Sequence, residues 1–255
     1  MKAIWTGAIG FGLVNIPVKM YSATEESNID FDMLDKASGA NIQFKRVNAD
    51  TGKEVKWENI VKGFNLEGKY IILDDADFEK ASPEKNKLLA IDQFVKVAEI
   101  DPVYFEAPYY LEPQKNGESA YNLLLAALKK SAMAGVGTFV MRNREALGIL
   151  RPYENVLLFQ RMRYAQEIRK TDELKIMDKA PKPAELKMAM TLIDQLSQKF
   201  DPGKYKDEYS SELMKVIKAK AKGVKSSEVR HVATTSKSID LMAQLKASLS
   251  ASKSK

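Results

Sequence analysis

Short runs of β-forming residues, each bounded by turn signals, recur along the first 170 residues of this 255-residue chain. They are read as strands at 10–20, 42–47, 53–57, 70–73, 88–97, 109–112, 136–141 and 156–162. Asp50-Thr51-Gly52 supplies a turn between the second and third runs and marks a hairpin. Strands this short and this closely spaced leave no room for alternating β-α units, so the pattern points to a barrel or sandwich. Within this region 74–80 reads as a short helix that Asp74 or Asp75 can cap, and 118–130 as a longer one. In the longer helix Tyr121, Leu124, Leu125 and Leu128 fall at i, i+3, i+4 and i+7, one apolar stripe directed at a core. The fold class expected is therefore mainly β with α.

The pattern changes near Thr171. Lys179-Ala180-Pro181-Lys182-Pro183 reads as a linker, because proline disfavours helix in the residue before it. Two helices are expected beyond it. The first spans 184–199, with Leu186, Ala189, Met190, Ile193 and Leu196 as its apolar face, and is stopped by Asp201-Pro202-Gly203. The second spans 207–222. Tyr209, Leu213, Val216 and Ile217 form its apolar stripe, and Lys215, Lys218 and Lys222 share another face. After Gly223 the chain is rich in Lys, Ser, Ala and Thr and reads as a flexible tail with a short helix near 238–249. Charge follows the same division. Residues 203–255 carry 12 basic and 5 acidic side chains, residues 1–202 carry 28 and 29. A basic end on a near-neutral body points to a polyanionic partner, with a merely solubilising tail as the alternative.

Several chemistries are closed off. Gly7 and Gly12 have the spacing of a phosphate-binding loop, but Leu13 and Val14 follow where Lys and Ser or Thr are needed. The chain has no cysteine and one histidine, His231, so neither a catalytic triad nor a thiolate metal site can be built. No cofactor is expected. Carboxylate pairs such as Asp74-Asp75 lack a visible supporting shell, and a metal-dependent nuclease is the least favoured reading. No run reaches the length of a membrane span and no signal sequence is recognised, so a cytoplasmic, nucleoid-associated protein without membrane contact is expected.

The opening run IWTGAIGFGLVNIPVKMYSATE, Ile4 to Glu25, resembles the start of the bacterial Ku family of DNA-end-binding proteins. The resemblance continues in order through FKRV (44–47), GKEV (52–55), IVKG (60–63), IDPVY (100–104), PYYLEP (108–113) and the helix at 120–128. It then runs through RNREALGIL (142–150), LRP (150–152), RYAQEIR (163–169) and FDPGKYKDEY (200–209), so that it covers about residues 1–222. It implies a β-barrel core over 1–175 whose bridge, about 40–65, closes a ring around DNA in a homodimer. A helical region over 176–222 and a basic tail over 223–255 complete the chain. It implies sequence-independent binding of double-stranded DNA ends in non-homologous end joining, and recruitment of the ATP-dependent end-joining DNA ligase. It also implies that the N-terminal α/β domain of the eukaryotic subunits is absent. Where some members carry Cys-x-x-Cys, this chain has Asn48 and Thr51, which removes a zinc reading of that hairpin.

Sequence-independent binding needs cations for phosphate. The candidates are Lys45, Arg46, Lys53, Lys56 and Lys62 in the bridge, Arg142, Arg144 and Arg151 around RNREALGILRP, read as a strand connection, and Lys215, Lys218, Lys222 and Lys225 towards the C-terminus. Arg142 and Arg144 are two apart and can share a strand face, whereas Arg151, Arg161 and Arg163 are as well explained by ion pairs with Glu145, Glu154 or Glu167. Lys56 is expected to face away from Val55 and Trp57. Tyr205, Tyr209, Leu213 and Ile217 are the candidate partner-binding residues. The alternative function is a general basic nucleic-acid scaffold without preference for ends.

Overall fold

The computed structural model describes residues 1–81, 87–141, 144–176, 180–223 and 241–252. These divide into two compact units, Met1–Glu26 with Asp30–Lys170, and Ser27–Ile29 with Thr171–Lys255.

The first unit is a closed seven-stranded barrel. Its strands are β1 (Trp5–Phe11), β2 (Val14–Ser22), β5 (Leu88–Lys96), β6 (Phe105–Pro113), β7 (Met133–Met141), β8 (Arg144–Tyr153) and β9 (Val156–Met162). Around the barrel they run β1-β2-β6-β9-β8-β7-β5, and β5 pairs back onto β1. That closing pair is parallel, through Ala8↔Leu88, Ile9↔Leu89 and Gly10↔Ala90, while the other six pairings are antiparallel. Between β2 and β5 the chain makes a long excursion that carries a two-stranded hairpin, β3 (Lys62–Leu66) and β4 (Lys69–Leu73), and the short helix α1 (Asp75–Ala81).

Alternation puts Ile9, Ile16, Val18, Met20, Leu111, Phe139, Leu157 and Phe159 in the core, each at most 1% exposed. Phe139 meets Phe159 edge to face at 4.8 Å, and Trp5 meets Phe139 at 5.9 Å. The Trp5 indole also donates to the Val140 carbonyl at 3.2 Å. Packing this tight excludes a Cβ at Gly137, which would stand 1.8 Å from the Ala90 carbonyl oxygen. Helix α2 (Glu118–Ser131) adds the predicted stripe of Tyr121, Leu124, Leu125 and Leu128, all buried. Each leucine so buried contributes about 1.5–3 kcal/mol. Tyr121 does more than fill space. Its hydroxyl donates to the Leu111 carbonyl at 2.6 Å and accepts from the Leu157 amide at 2.7 Å, tying α2 to neighbouring strands β6 and β9. Burial pushes the phenol pKa up, partly opposed by the Leu157 amide, so Tyr121 remains a donor through neutral pH.

Several expectations are corrected. The single strand expected at 10–20 is two strands, because Gly12 adopts φ +56° and turns the chain at Gly12-Leu13. The runs 42–47 and 53–57 form no strands, and their one β-pairing among the described residues is the isolated bridge Val47↔Glu54. The turn between them does form, since Asn48 Oδ1 accepts from the Asp50 and Thr51 amides at 3.0 Å each. The RNREALGILRP segment, read as a strand connection, contains β8. Strand β3 went unrecognised, although Glu67-Gly68 between two β-forming runs is a hairpin signal.

In the second unit α3 (Pro183–Leu196) begins with Pro183 at its first position and ends three residues before the predicted Lys199. Its expected apolar face is exposed: Leu186, Met190, Ile193 and Leu196 are 48–63% accessible. The half-buried residues are Glu185, Met188, Ala189 and Leu192, on a helix that lies against α5 (Leu241–Ser252). Helix α4 (Glu208–Ala221) is capped by Asp207, which accepts from the Ser210 amide at 3.0 Å. No helix among the described residues is long and apolar enough to cross a membrane.

Tyr121→Phe keeps the packing but leaves the Leu157 amide without its partner. We expect a loss of about 1–3 kcal/mol in urea-induced unfolding with an unchanged m-value. A change below the error of the measurement would show that the α2 hydroxyl does not bear on the barrel.

Candidate nucleic-acid interface

The excursion between β2 and β5 has no core of its own. From Asp30 to Ile72 every residue is exposed except Val55, which is half-buried. This arm nevertheless carries large apolar side chains, among them Phe31 at 67%, Phe44 at 76%, Trp57 at 72% and Tyr70 at 69% exposed. An isolated two-stranded hairpin is marginal in water, and apolar surface of this extent marks a contact region.

Five of the predicted cations lie on the arm, and they are held in three ways. Lys45 pairs with Glu54 at 2.8 Å and Lys56 lies 3.9 Å from Glu58, both pairs well exposed. Arg46 stacks on the Trp57 ring at 4.6 Å and the Lys62 ammonium sits 4.5 Å from the Phe78 ring of α1. Lys53, beside the Asn48 turn, has no such partner among the described residues. Exposed ion pairs of the first kind contribute about 0–1 kcal/mol, so they restrain the lysines weakly and leave them able to exchange partners. Stacking orients a cation while leaving its charge outward. The expectation that Lys56 alternates with Val55 and Trp57 across a strand fails, because Lys56 precedes a short 3₁₀ turn, Trp57–Asn59.

The barrel arginines do not gather into one cluster. Arg144 and Arg151 stand seven residues apart on β8, so they project from opposite faces with about 23 Å between them. Arg144 is exposed opposite Met141, and Arg151 lies over the Tyr153 ring at 5.8 Å. Arg161 and Arg163 pair with Glu106 at 2.7 and 2.8 Å, a carboxylate on the neighbouring strand β6 rather than any of the three acids close in sequence. The Glu106 side chain is 17% exposed. Cross-strand register decides this pairing, which is why sequence proximity misassigned it. Arg142 and Lys225 lie outside the described residues.

On α4, Lys215 pairs with Glu212 at 2.6 Å, which raises its pKa above the usual lysine value. Lys218 and Lys222 crowd the helix C-terminus, where the macrodipole favours cations. Tyr209 is 76% exposed while Leu213 and Ile217 are half-buried, and Tyr205 stacks on Phe200 at 5.8 Å. Among the described residues no group of three or more His, Asp or Glu is placed to hold a metal ion.

A model of the Ku70/Ku80 beta-barrel domain matches residues 10–188. The chain belongs to the Ku family. It is 38% identical to the non-homologous end joining protein Ku of Coxiella burnetii, over 97% of this chain and 94% of that one. The corresponding protein of Bacillus subtilis is 36% identical over 98% and 82%, and that of Pseudomonas aeruginosa 37% identical over 86% and 77%. The matched span of this Ku chain takes in the whole arm and every barrel strand but the first residues of β1, which starts at Trp5.

Glu106→Gln should destabilise this Ku chain by about 1–3 kcal/mol, since two guanidiniums lose their shared carboxylate. A double-mutant cycle with Arg161→Ala should return a coupling of about 1 kcal/mol in chemical unfolding. A coupling indistinguishable from zero would make the contact incidental.

Proposed function

We propose that this Ku chain binds the ends of double-stranded DNA without regard to sequence, as a homodimer closed into a ring, in double-strand-break repair by non-homologous end joining. The observation that carries the reading is the arm. Some forty consecutive residues combine exposed aromatics with seven cations, five of them the candidates named above, and no core, held to a closed barrel at both ends. The apolar side chains suit a second copy of the same arm, and the cations suit phosphate. The relatives named as end-joining proteins support the same reading.

In this reading 1–175 is the barrel core with its bridge at 40–65, 176–222 a helical region and 223–255 a basic tail. Lys45, Arg46, Lys53, Lys56 and Lys62 contact the backbone from the bridge, Arg142, Arg144 and Arg151 from the barrel. Lys215, Lys218, Lys222 and Lys225 add non-specific attraction. Tyr205, Tyr209, Leu213 and Ile217 face the ATP-dependent end-joining ligase. The protein protects and bridges ends by binding, performs no catalysis, and works in the cytoplasm on the nucleoid. The surplus of charge in residues 203–255 favours a second reading, a basic scaffold that holds any nucleic acid without needing an end.

A ring admits DNA only through a free terminus. Linear duplex should therefore bind far better than closed circular DNA of the same sequence at matched salt, and equal binding would select the scaffold reading. Lys53→Ala should flatten the slope of log K against log salt by about 0.9, to the same degree on unrelated sequences. A loss confined to one sequence would oppose the assignment. Deleting residues 223–255 should lower DNA affinity while leaving the dimer intact in analytical ultracentrifugation. Dissociation to monomers would move the tail boundary.

A further inference from the structure

Strands β2, β6, β9 and β8 lie side by side on the barrel, and their outward residues form a grid. Tyr21 stands beside Tyr110, Tyr110 beside Leu158, and Leu158 beside Arg151. One row along, Lys19 stands beside Glu112. A cavity of about 760 Å³ opens here, lined by Tyr21, Tyr110, Tyr153, Glu112, Glu154 and Asn122.

Its walls are aromatic and partly occupied in a telling order. The Arg151 guanidinium lies 5.8 Å from the Tyr153 ring, and Tyr153 stacks on Tyr110 at 6.0 Å with 28° between planes. One end of this stack thus already holds a guanidinium. The other end, at Tyr110 and Tyr21, faces the cavity.

The acids are incompletely used. Glu112 accepts the Tyr21 hydroxyl through Oε2 at 2.5 Å, and its Oε1 takes no bond among the described residues. Glu154 and the Asn122 amide have no partner among the described residues, and neither Lys19 nor Arg151 forms an ion pair with either glutamate. Glu154 also sits at φ +49°, a left-handed position that asparagine or glycine adopts at less cost.

We propose that this cavity receives an arginine side chain from an extended segment of a second protein. The chemistry selects among ligands. Ring faces and carboxylates together suit a planar cation that stacks and donates in a fork, which guanidinium does and ammonium does only in part. A phosphate-bearing strand would meet Glu112 and Glu154 on the cavity wall, with Arg151 set behind Tyr153 at the far end of the stack. The site lies on the barrel, apart from the arm, and shares with the proposed DNA contacts only Arg151, at the far end of the stack.

The test uses the full chain and three capped tripeptides, Ser-Arg-Ser, Ser-Lys-Ser and Ser-citrulline-Ser, followed by NMR of the tyrosine rings. The arginine peptide should bind saturably, with the citrulline peptide at least about tenfold weaker, since citrulline keeps the shape and loses the charge. The lysine peptide should fall between them. Glu154→Gln, a solvent-exposed change at a turn, should weaken the arginine peptide several-fold while leaving thermal unfolding and linear-duplex binding unchanged. Glu112→Gln should do the same to the peptide, with Tyr21→Phe as the control for loss of the phenol bond. Equal binding of arginine and citrulline peptides overturns the proposal, as does the absence of any ring shift up to about 10 mM peptide. Displacement of the arginine peptide by short oligothymidylate would reassign the cavity to unpaired bases.

Discussion

The parallel pairing of β1 with β5 is the contact on which the rest of this Ku chain depends. Three residue pairs, Ala8 to Gly10 against Leu88 to Ala90, convert an antiparallel sheet into a closed barrel and remove both free edges. Parallel neighbours cannot be joined by a tight turn, so a crossover must intervene. Here the connection between β2 and β5 became the arm. The register explains where it emerges. Ser22 ends β2 beyond the Trp5↔Met20 pair and Leu88 begins β5 beside Ala8, so the arm leaves past the start of β1 and returns at its middle.

The barrel and its helix α2 were largely legible because their residues obey the period of their element. The spacing alone picks out Tyr121, Leu124, Leu125 and Leu128, and the runs 70–73, 109–112, 136–141 and 156–162 fall inside observed strands. Legibility ended where pairing partners are distant. Nothing near Arg161 in sequence indicates Glu106, because the two meet only once β6 and β9 are in register. It ended also where a pattern lacks a partner surface. The runs 42–47 and 53–57 have strand composition, yet a single bridge forms because no third strand or helix covers them. In α3 the spacing suggests an amphipathic helix, but Leu186, Met190, Ile193 and Leu196 are exposed while Met188, Ala189 and Leu192 are half-buried.

The cations of the candidate interface illustrate how weak restraints can still organise charge. Glu54 and Glu58 hold Lys45 and Lys56 without burying them, while Trp57 and Phe78 align Arg46 and Lys62 by their ring faces. None of these contacts desolvates a charge, so none incurs the large penalty of a buried ion. The arginines on the barrel behave differently. Glu106 is nearly enclosed, and the two guanidiniums gathered on it serve the pairing of β6 with β9.

Anchoring the arm at two points on a closed barrel separates two requirements that usually compete. The entropy of closing such a loop grows only with the logarithm of its length, and doubling the length costs about 0.6 kcal/mol. Residues can thus be added to or taken from the stretch between Ser22 and Leu88 with little effect on the core that holds Ile9, Phe139 and Phe159. The reach of such an arm can therefore change while the scaffold stays fixed.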